Sequence, residues 1–544
     1  MSTDTQHTGK LVLDDESAYQ NAANVAVALG IATFAFGWAA LFEWVEIDSS
    51  LAGLPVVDIF GVLLVVLGLA TLGLGLVSRA EMADTTPDTT AGLIPGIAFG
   101  GTGFVLGGLV ASQLLGLGTI GWFLAAVVAG AVVLAVTVLP REDIGSTLVP
   151  GLLIAGFGLV FLTDTMTVAW EFRPSDFSAS ATGTVFIPLL SAFAGLFAAW
   201  SSGKASEGFG TRGRQRGAYM LVSTVVAAML AVLLLLIAFI VQKGLGTVGT
   251  GVEVGLGVGP SVGIPIITDI TGTSLVLPID IPFVMNAAPL GVVVPGILPA
   301  VLGTLWLIVG AIALAVPLGV GAAIFLTEYA EQGRFTDSIE ITTNGLWSTP
   351  SIVYGLFGAA FLVPRFGNSK SLISGMLVLG FMLLPLVVIT SRESLKAVPD
   401  EYRDASAALG VSQWQTIRSV VLPAAMPGVI TGIILGVGRI AGETAPLLLV
   451  TGGKPFPSQK TSILSGFEFT TSPPFVTNEA LMQASSALPY QLYTTITAGQ
   501  APGTQFTQSQ FGWGTALVLL VVVLSLYAIG VASRIYFRRK LNHE

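Results

Sequence analysis

Twelve apolar stretches, each about the length of a bilayer-crossing helix, dominate this chain and leave few folds open to it. Six lie in the first half, at residues 22–43, 54–78, 92–115, 118–139, 147–164 and 184–200. Six lie in the second, at 217–241, 295–327, 341–363, 371–391, 425–450 and 513–536. Only 10% of the 544 residues are charged and 53% are hydrophobic, with a mean hydropathy of +0.83. A soluble domain carries roughly 25% charged residues. Lipid is therefore the main solvent, and the expected fold is all-α, a polytopic transmembrane helical bundle.

Lysine and arginine set the expected orientation. Arg79 and Arg141 lie in alternate loops, and Lys204, Arg212, Arg214 and Arg216 precede the seventh stretch. Arg392, Lys396, Arg403 and Arg418 follow the tenth, and Arg534, Arg538, Arg539 and Lys540 close the chain. With twelve crossings these share one side with both termini, which is expected to be cytoplasmic. Arg173, Lys243, Arg365, Lys370, Lys454 and Lys460 fall on the other side, so the bias is not absolute. The net charge is −9. An acidic, lysine-poor surface suits a high-salt, halophile-like cytoplasm, and equally suits a mildly acidic membrane protein.

Several functions are excluded or unsupported. Residues 1–20 are polar and no short apolar run ends in a small-residue cleavage site, so no cleaved signal peptide is expected. Without cysteine there is no disulfide or thiolate metal site. The two histidines, His7 and His543, sit at the ends, which argues against a buried histidine metal site. Gly452-Gly453-Lys454 is followed by Pro455 and makes no phosphate loop. No nucleophile-elbow or zinc-protease motif is present either. We expect no catalytic residue, metal or cofactor, and nothing points to nucleic acid.

Residues 201–216 (SSGKASEGFGTRGRQR) read as a cytoplasmic linker between a membrane domain at 1–200, of unassigned role, and a second at 217–544. The two halves show no obvious repeat. Two long external segments, 242–294 and 452–512, belong to the second half; the first reads as short strands and turns. Gly96/Gly100 and Gly103/Gly107 have the spacing that lets helices approach closely. Glu328 and Glu340 read as a solvated face.

A polar segment lies between the tenth and eleventh stretches, within a loop at 393–424. In it Ala405, Ala408 and Leu409 share a helical face, and Val411 and Trp414 extend the apolar surface. Gly410 allows a bend, and a turn is expected at Leu422-Pro423. Such a helix either presents its apolar face to a partner or is an ordinary amphipathic loop helix. The next stretch carries Arg439 and Glu443 four residues apart, on one helical face. A charge at mid-bilayer costs on the order of 2.5–3.5 kcal/mol by insertion scales. The pair either fixes helix packing or offers the Arg439 guanidinium to an oxyanion, with Glu443 orienting it. Ser348, Thr349 and Ser351 flank Pro350; their hydroxyls are expected to bond back to the backbone.

Asp404-Ala405-Ser406, Gly410, Val420 and Leu422-Pro423 resemble the coupling loop of importer-type ABC permeases, with Asp, Ser and Val as departures. The run R-I-A-G-E-T-A-P-L-L from Arg439 resembles PstA-type permeases of phosphate importers. So do Pro317–Gly321, Glu328-Tyr329-Ala330 and Ser348–Leu356, in order and spacing. The likeness covers about residues 217–544, and residues 1–200 have no counterpart in it. It implies a six-span permease domain with a coupling loop at 393–424 that docks on a separate PstB-type ATPase. It also implies a PstC-type permease partner, an external phosphate-binding protein, phosphate as cargo, and a multi-pass location in the plasma membrane among its lipids. Asp404, Ala405, Ser406, Gly410, Leu422 and Pro423 are then coupling residues; Arg439, Glu443 and Thr444 line the substrate path. The alternatives are a permease for another oxyanion and an ATP-independent carrier or channel.

Overall fold

The computed structural model describes residues 17–541 apart from 52, 174–179, 263–274, 288–293, 332, 454–462, 465, 473–474 and 500–504. His7, His543, Lys454 and Lys460 lie outside the described residues, as do parts of 242–294 and 452–512. The described chain is a bundle of long helices and divides into two compact units, Met1–Leu234 and Leu235–Glu544.

The first unit holds α1 (Ala18–Leu41), α2 (Val56–Arg79), α3 (Leu93–Ser112), α4 (Thr119–Val138), α5 (Glu142–Leu162) and α6 (Gly183–Ser206). These match the six expected stretches to within a few residues, except that α5 and α6 are longer. Two-residue strands β1 (Ser50–Leu51) and β2 (Leu54–Pro55) join α1 to α2. Strands β3 (Glu171–Phe172) and β4 (Ala181–Thr182) join α5 to α6 in the same way. Helix α1 packs antiparallel on α6, α2 on α5, and α3 on α4. Glycine makes these contacts close: a Cβ on Gly30 would stand 2.8 Å from Gly195 O, and one on Gly195 would stand 2.6 Å from Gly30 O. The Gly100 and Gly103 faces of α3 meet Leu134 and Val133 of α4, the packing role expected of that spacing.

The first unit contains an internal repeat. Gly30, Gly37, Glu43 and β1 correspond to Gly151, Gly158, Asp164 and β3, all 121 residues later. Then β2, the 24-residue α2 and Gly68 correspond to β4, the 24-residue α6 and Gly195, all 127 residues later. Glu43 and Asp164 both leave their helices with positive φ, 59° and 54°. The two helix–hairpin–helix copies exchange partners, α1 with α6 and α5 with α2, as two-fold-related copies would. Few identities survive between them, among them Phe36 and Phe157, Leu41 and Leu162, Leu69 and Leu196, and the glycines. An apolar background with so few shared landmarks hides a repeat from sequence inspection.

Residues 201–216, expected as a linker, are helical apart from a turn at Glu207–Phe209. The cause is a buried ion pair. Lys204 Nζ lies 2.7 Å from Glu142 Oε1 and donates to Ser146 Oγ at 2.8 Å. Glu142 Oε2 accepts from the backbone N–H of Asp88 (3.1 Å) and Gly210 (2.8 Å). One carboxylate thus ties α5, α6, the start of α7 (Gly210–Val248) and the segment before α3 together. Lys204 is a core residue, not a loop charge. Glu142→Gln should therefore strand a buried ammonium and cost about 3–5 kcal/mol. Glu142→Gln/Lys204→Met should recover more than half of that loss, read as thermal unfolding of the detergent-solubilised chain.

The unit boundary falls inside α7, within residues that pass from one unit to the other. The second unit continues with α8 (Leu298–Tyr329), α9 (Arg334–Ser348), α10 (Ser351–Arg365) and α11 (Leu372–Lys396). A short α12 (Asp400–Ala408) leads to α13 (Gln413–Ala441) and α14 (Ala445–Val450). It ends with α15 (Leu488–Ala498) and α16 (Gln508–Leu541). Between α7 and α8, Glu253–Val254 pairs with Ile279–Asp280 and Ser261–Val262 with Leu275–Val276, short strands as expected.

The stretch at 341–363 is not a straight span. It is the pair α9 and α10, bent by 100°. Thr349, with ψ 132°, takes the extended conformation favoured before proline, and Pro350 supplies no N–H to continue α9. The pair still crosses. Gly310 of α8 sits against Met376 of α11, and Gly319 against Val387, so α8 and α11 run parallel. A chain joining parallel neighbours must return between them, and among the described residues α9–α10 is the segment that does so. The described residues then hold up to twelve crossings.

Candidate functional site

Helix α13 runs antiparallel to α11: Gly428 lies at Ser394, Gly432 at Thr390 and Gly436 at Leu386. Val437, Ile440 and Ala441 continue into the core formed by Val378, Leu379 and Met382. Arg439 is therefore well inside the span. Ala441 is the last residue of α13; Gly442, Glu443 and Thr444 break the helix before α14 starts.

Arg439 and Glu443 are close but loosely paired, Nε to Oε1 at 3.9 Å, with side chains 32% and 17% exposed. The tighter partner of Arg439 is aromatic. Its guanidinium carbon lies 4.0 Å from the centre of the Trp347 ring, in the last turn of α9. Stacking on an indole holds the cationic plane while leaving its N–H edge free. Among the described residues Arg439 makes no hydrogen bond; the loose pair, at 3.9 Å, is an ion contact only. The Thr444 hydroxyl has no partner among them either, and the residue is half-buried.

The bend brings Trp347 into place. Tyr354 Oη donates to Leu346 O at 2.9 Å across it, and Ser348 and Thr349 hydroxyls both donate to Gly345 O at 2.9 Å. The Ser348 and Thr349 hydroxyls satisfy backbone, as expected; the Ser351 hydroxyl makes no such bond among the described residues. Gly355 of α10 lets Pro446 of α14 approach; a Cβ there would stand 2.7 Å from Pro446 Cα. The stretches Ser348–Leu356 and Arg439–Leu448, some 90 residues apart in sequence, thus form one site. Arg439, Glu443 and Thr444 are brought together, with Trp347 and Tyr354 as members the sequence reading missed. Trp347 directly precedes the Ser348–Leu356 stretch, and its offset from Arg439 gave no local signal.

The second constellation is the loop at 393–424. Helix α12 ends in a Schellman motif: Gly410 has φ +72°, its N–H donates to Ala407 O (2.9 Å), and Val411 N–H donates to Ser406 O (3.2 Å). Ser406 Oγ donates to Tyr402 O at 2.9 Å and is buried. Asp404 and Ala405 are exposed. Leu409 is 82% exposed and Trp414 55% exposed, and Tyr402 and Val411 stand beside them on the surface.

The expected turn at Leu422-Pro423 is absent. Helix α13 runs unbroken from Gln413, with a widened π-type turn at Ile417–Val421 just before Pro423. Pro423 falls where the wider turn frees the ring from the preceding carbonyl, so the helix continues. The chain reverses at Gly410 instead.

Glu328, expected as a solvated residue, is 8% exposed and clamps the loop. Arg403 grips its carboxylate with both arms, Nη2 to Oε1 at 2.8 Å and Nε to Oε2 at 3.2 Å. Arg403 also donates to Val398 O (2.8 Å) and Leu395 O (3.1 Å). The hydrogen bonds it donates to Glu328 hold the Arg403 guanidinium above its usual pKa. Gln413 Nε2 donates to Glu328 O at 2.6 Å. The loop is thereby locked to the end of α8 on both sides of Gly410. Glu340 is half-exposed and meets Arg392 at 3.1 Å.

Residues 315–543 match the family model for binding-protein-dependent transport system inner membrane components. A probable ABC transporter permease protein, YqgI of Bacillus subtilis, is 34% identical over 42% of this chain and 75% of its own length. The phosphate transport system permease protein PstA 1 of Mycobacterium tuberculosis is 34% identical over 45% of this chain and 72% of its own. PstA of Xylella fastidiosa is 35% identical over 46% and 77%. The chain belongs to the family of binding-protein-dependent transport system inner membrane components, as a multi-pass permease.

Proposed function

We propose that this chain is the PstA-like subunit of an ATP-driven importer of inorganic phosphate. Its companions are a PstC-type permease, PstB-type ATPase subunits and an external phosphate-binding protein. The observation that carries the reading is Arg439, a guanidinium deep in the span, stacked on Trp347 with its N–H edge free. That edge suits a phosphate oxygen pair. The names of the relatives favour phosphate over other oxyanions that would also suit a guanidinium. Residues 217–544 are the permease, and residues 1–200 an added membrane domain whose role is open. The loop at 393–424, the basic loops and both termini face the cytoplasm, in the plasma membrane.

In this mechanism, ATP closes the ATPase dimer against the exposed apolar face of Ala405, Ala408, Leu409 and Trp414. Asp404, Ser406 and Gly410 shape the docking helix, and Leu422-Pro423, inside α13, pass its motion along that helix. The Glu328–Arg403 clamp transmits the same motion to α8 and, five residues on, to α9 and Trp347. The ATPase biases the permease only by binding one geometry more tightly. Glu443 holds the empty guanidinium and Thr444 adds a hydroxyl. Reconstituted uptake of labelled phosphate tests the substrate. A large excess of sulfate or molybdate should leave uptake unchanged; equal competition would move the reading to another oxyanion.

Gly410 gives a sharper test of the loop. A side chain there meets open space, so only backbone conformation opposes it. A β-branched residue at φ +72° costs about 1–2 kcal/mol in a motif that sets the reversal. Gly410→Val should raise the ATP hydrolysed per phosphate moved at least several-fold, while Gly410→Asn, which tolerates this conformation, stays near wild type.

A further inference from the structure

Helix α9 is held to the bundle with little apolar burial. Among the described residues Thr336 alone in α9 is buried, and Ile339, Thr343 and Trp347, spaced four apart, are half-buried. Phe335 and Ile341 face outward, 65% and 71% exposed. The Thr343 hydroxyl is spent on Ile339 O, at 2.7 Å. Two arginines from other helices grip α9 instead, at positions seven residues apart. Arg439 of α13 lies on Trp347, and Arg392 of α11 donates from Nη2 to Glu340 Oε2 at 3.1 Å. Seven residues are almost two whole turns, so both contacts fall on one face, about 10 Å apart along the helix.

Arg392 is 8% exposed, Glu340 is its partner among the described residues, and its buried Nε–H has none. A buried guanidinium with donors left unpaired is costly, so Arg392 contributes little as packing. What its one pairing supplies is geometry. We propose that Arg392 is a positioning residue: through Glu340 it fixes α9, and so sets where the Trp347 ring meets the Arg439 guanidinium. The proposal rests on the reading of Arg439 as the anion-binding group. A helix tied at two points along one face cannot roll; one tied at its last turn alone can. The two arginine-bearing helices are themselves packed together, Thr390 and Ser394 of α11 meeting Gly432 and Gly428 of α13. The triangle of α9, α11 and α13 is therefore closed, and Arg392 is the corner that the substrate site does not touch.

The test reads phosphate uptake by the assembled complex and, separately, the motion of α9. Glu340→Gln should raise the concentration for half-maximal uptake roughly fivefold, the worth of a weakened cation–aromatic contact, with the maximal rate little changed. Arg392→Lys keeps the charge pair and should stay near wild type. Glu340→Gln/Arg392→Met leaves no unpaired buried charge and should match Glu340→Gln, which covers a folding defect in the single variant. In a Trp347→Leu background Glu340→Gln should add nothing, because the ring it positions is gone. A further fivefold rise there, or unchanged half-saturation in the double variant, overturns the proposal. The second readout uses the absence of cysteine from the chain: Ile341→Cys places one thiol on the outer face of α9 for a spin label in the full-length protein. Label mobility should rise in Glu340→Gln/Arg392→Met and not in Arg392→Lys; equal mobility in both overturns the proposal. This readout needs no transport, so its failure is distinct from any failure of the importer reading.

Discussion

Arg439→Gln is expected to abolish uptake while the subunit still inserts and assembles. The guanidinium has no hydrogen-bonded partner to lose: Glu443 stands 3.9 Å away and Trp347 offers only its ring face. Removing it therefore disturbs packing little. Each charge-assisted hydrogen bond it offers a phosphate is worth about 1.5–3 kcal/mol, so losing two costs at least a hundredfold. Arg439→Lys keeps the charge but neither forks nor stacks, and should retain only a small fraction of the rate. Trp347 separates positioning from mere presence. Trp347→Leu should raise the concentration for half-maximal uptake roughly tenfold, and Trp347→Phe should restore most of it, because a phenyl face still attracts the cation. Uptake kinetics on matched amounts of assembled complex check all four variants. Near-normal uptake in Arg439→Gln would make the residue structural.

Glu328→Gln is expected to uncouple the machine. It removes the carboxylate that Arg403 grips with two bonds, while Gln413 keeps its hold on the Glu328 backbone carbonyl. Bonds between charged partners here contribute about 1.5–3 kcal/mol, discounted because Arg403 is 22% exposed. The docking loop should remain folded but no longer move as one body with α8. ATP hydrolysis should persist, and uptake should fall at least tenfold. The exchange Glu328→Arg/Arg403→Glu should recover part of the uptake. If uptake and hydrolysis fall together in Glu328→Gln, the clamp acts on folding and not on coupling.

Much of the fold was legible because lipid imposes a simple rule: apolar runs of span length become helices. Eleven of the twelve expected stretches appear as long helices, and the twelfth is the bent pair α9–α10. The errors have local causes. The bend at Thr349-Pro350 hides inside an apolar run of span length. Pro423 looked like a stop, but the π-type turn at Ile417–Val421 accommodates it. Residues 201–216 have linker composition, yet Lys204 finds Glu142, some 60 residues earlier, and becomes core. At the site, Arg439 and Glu443 declare themselves as charges in an apolar run. Trp347 does not, since an aromatic residue near a span end is unremarkable until the bend turns it toward the guanidinium. Glu328 likewise looked solvated until Arg403 and Gln413 closed on it. Pairings across a reversal carry no periodicity for a sequence to display.

The most direct measurement is phosphate uptake into vesicles holding this chain alone, then with its permease, ATPase and binding-protein partners, with and without ATP. Uptake should appear only in the complete assembly with ATP, and should vanish there in Arg439→Gln. Uptake by the chain alone, independent of ATP, would contradict the account, because the loop around Gly410 would then be passive and the path would need no engine.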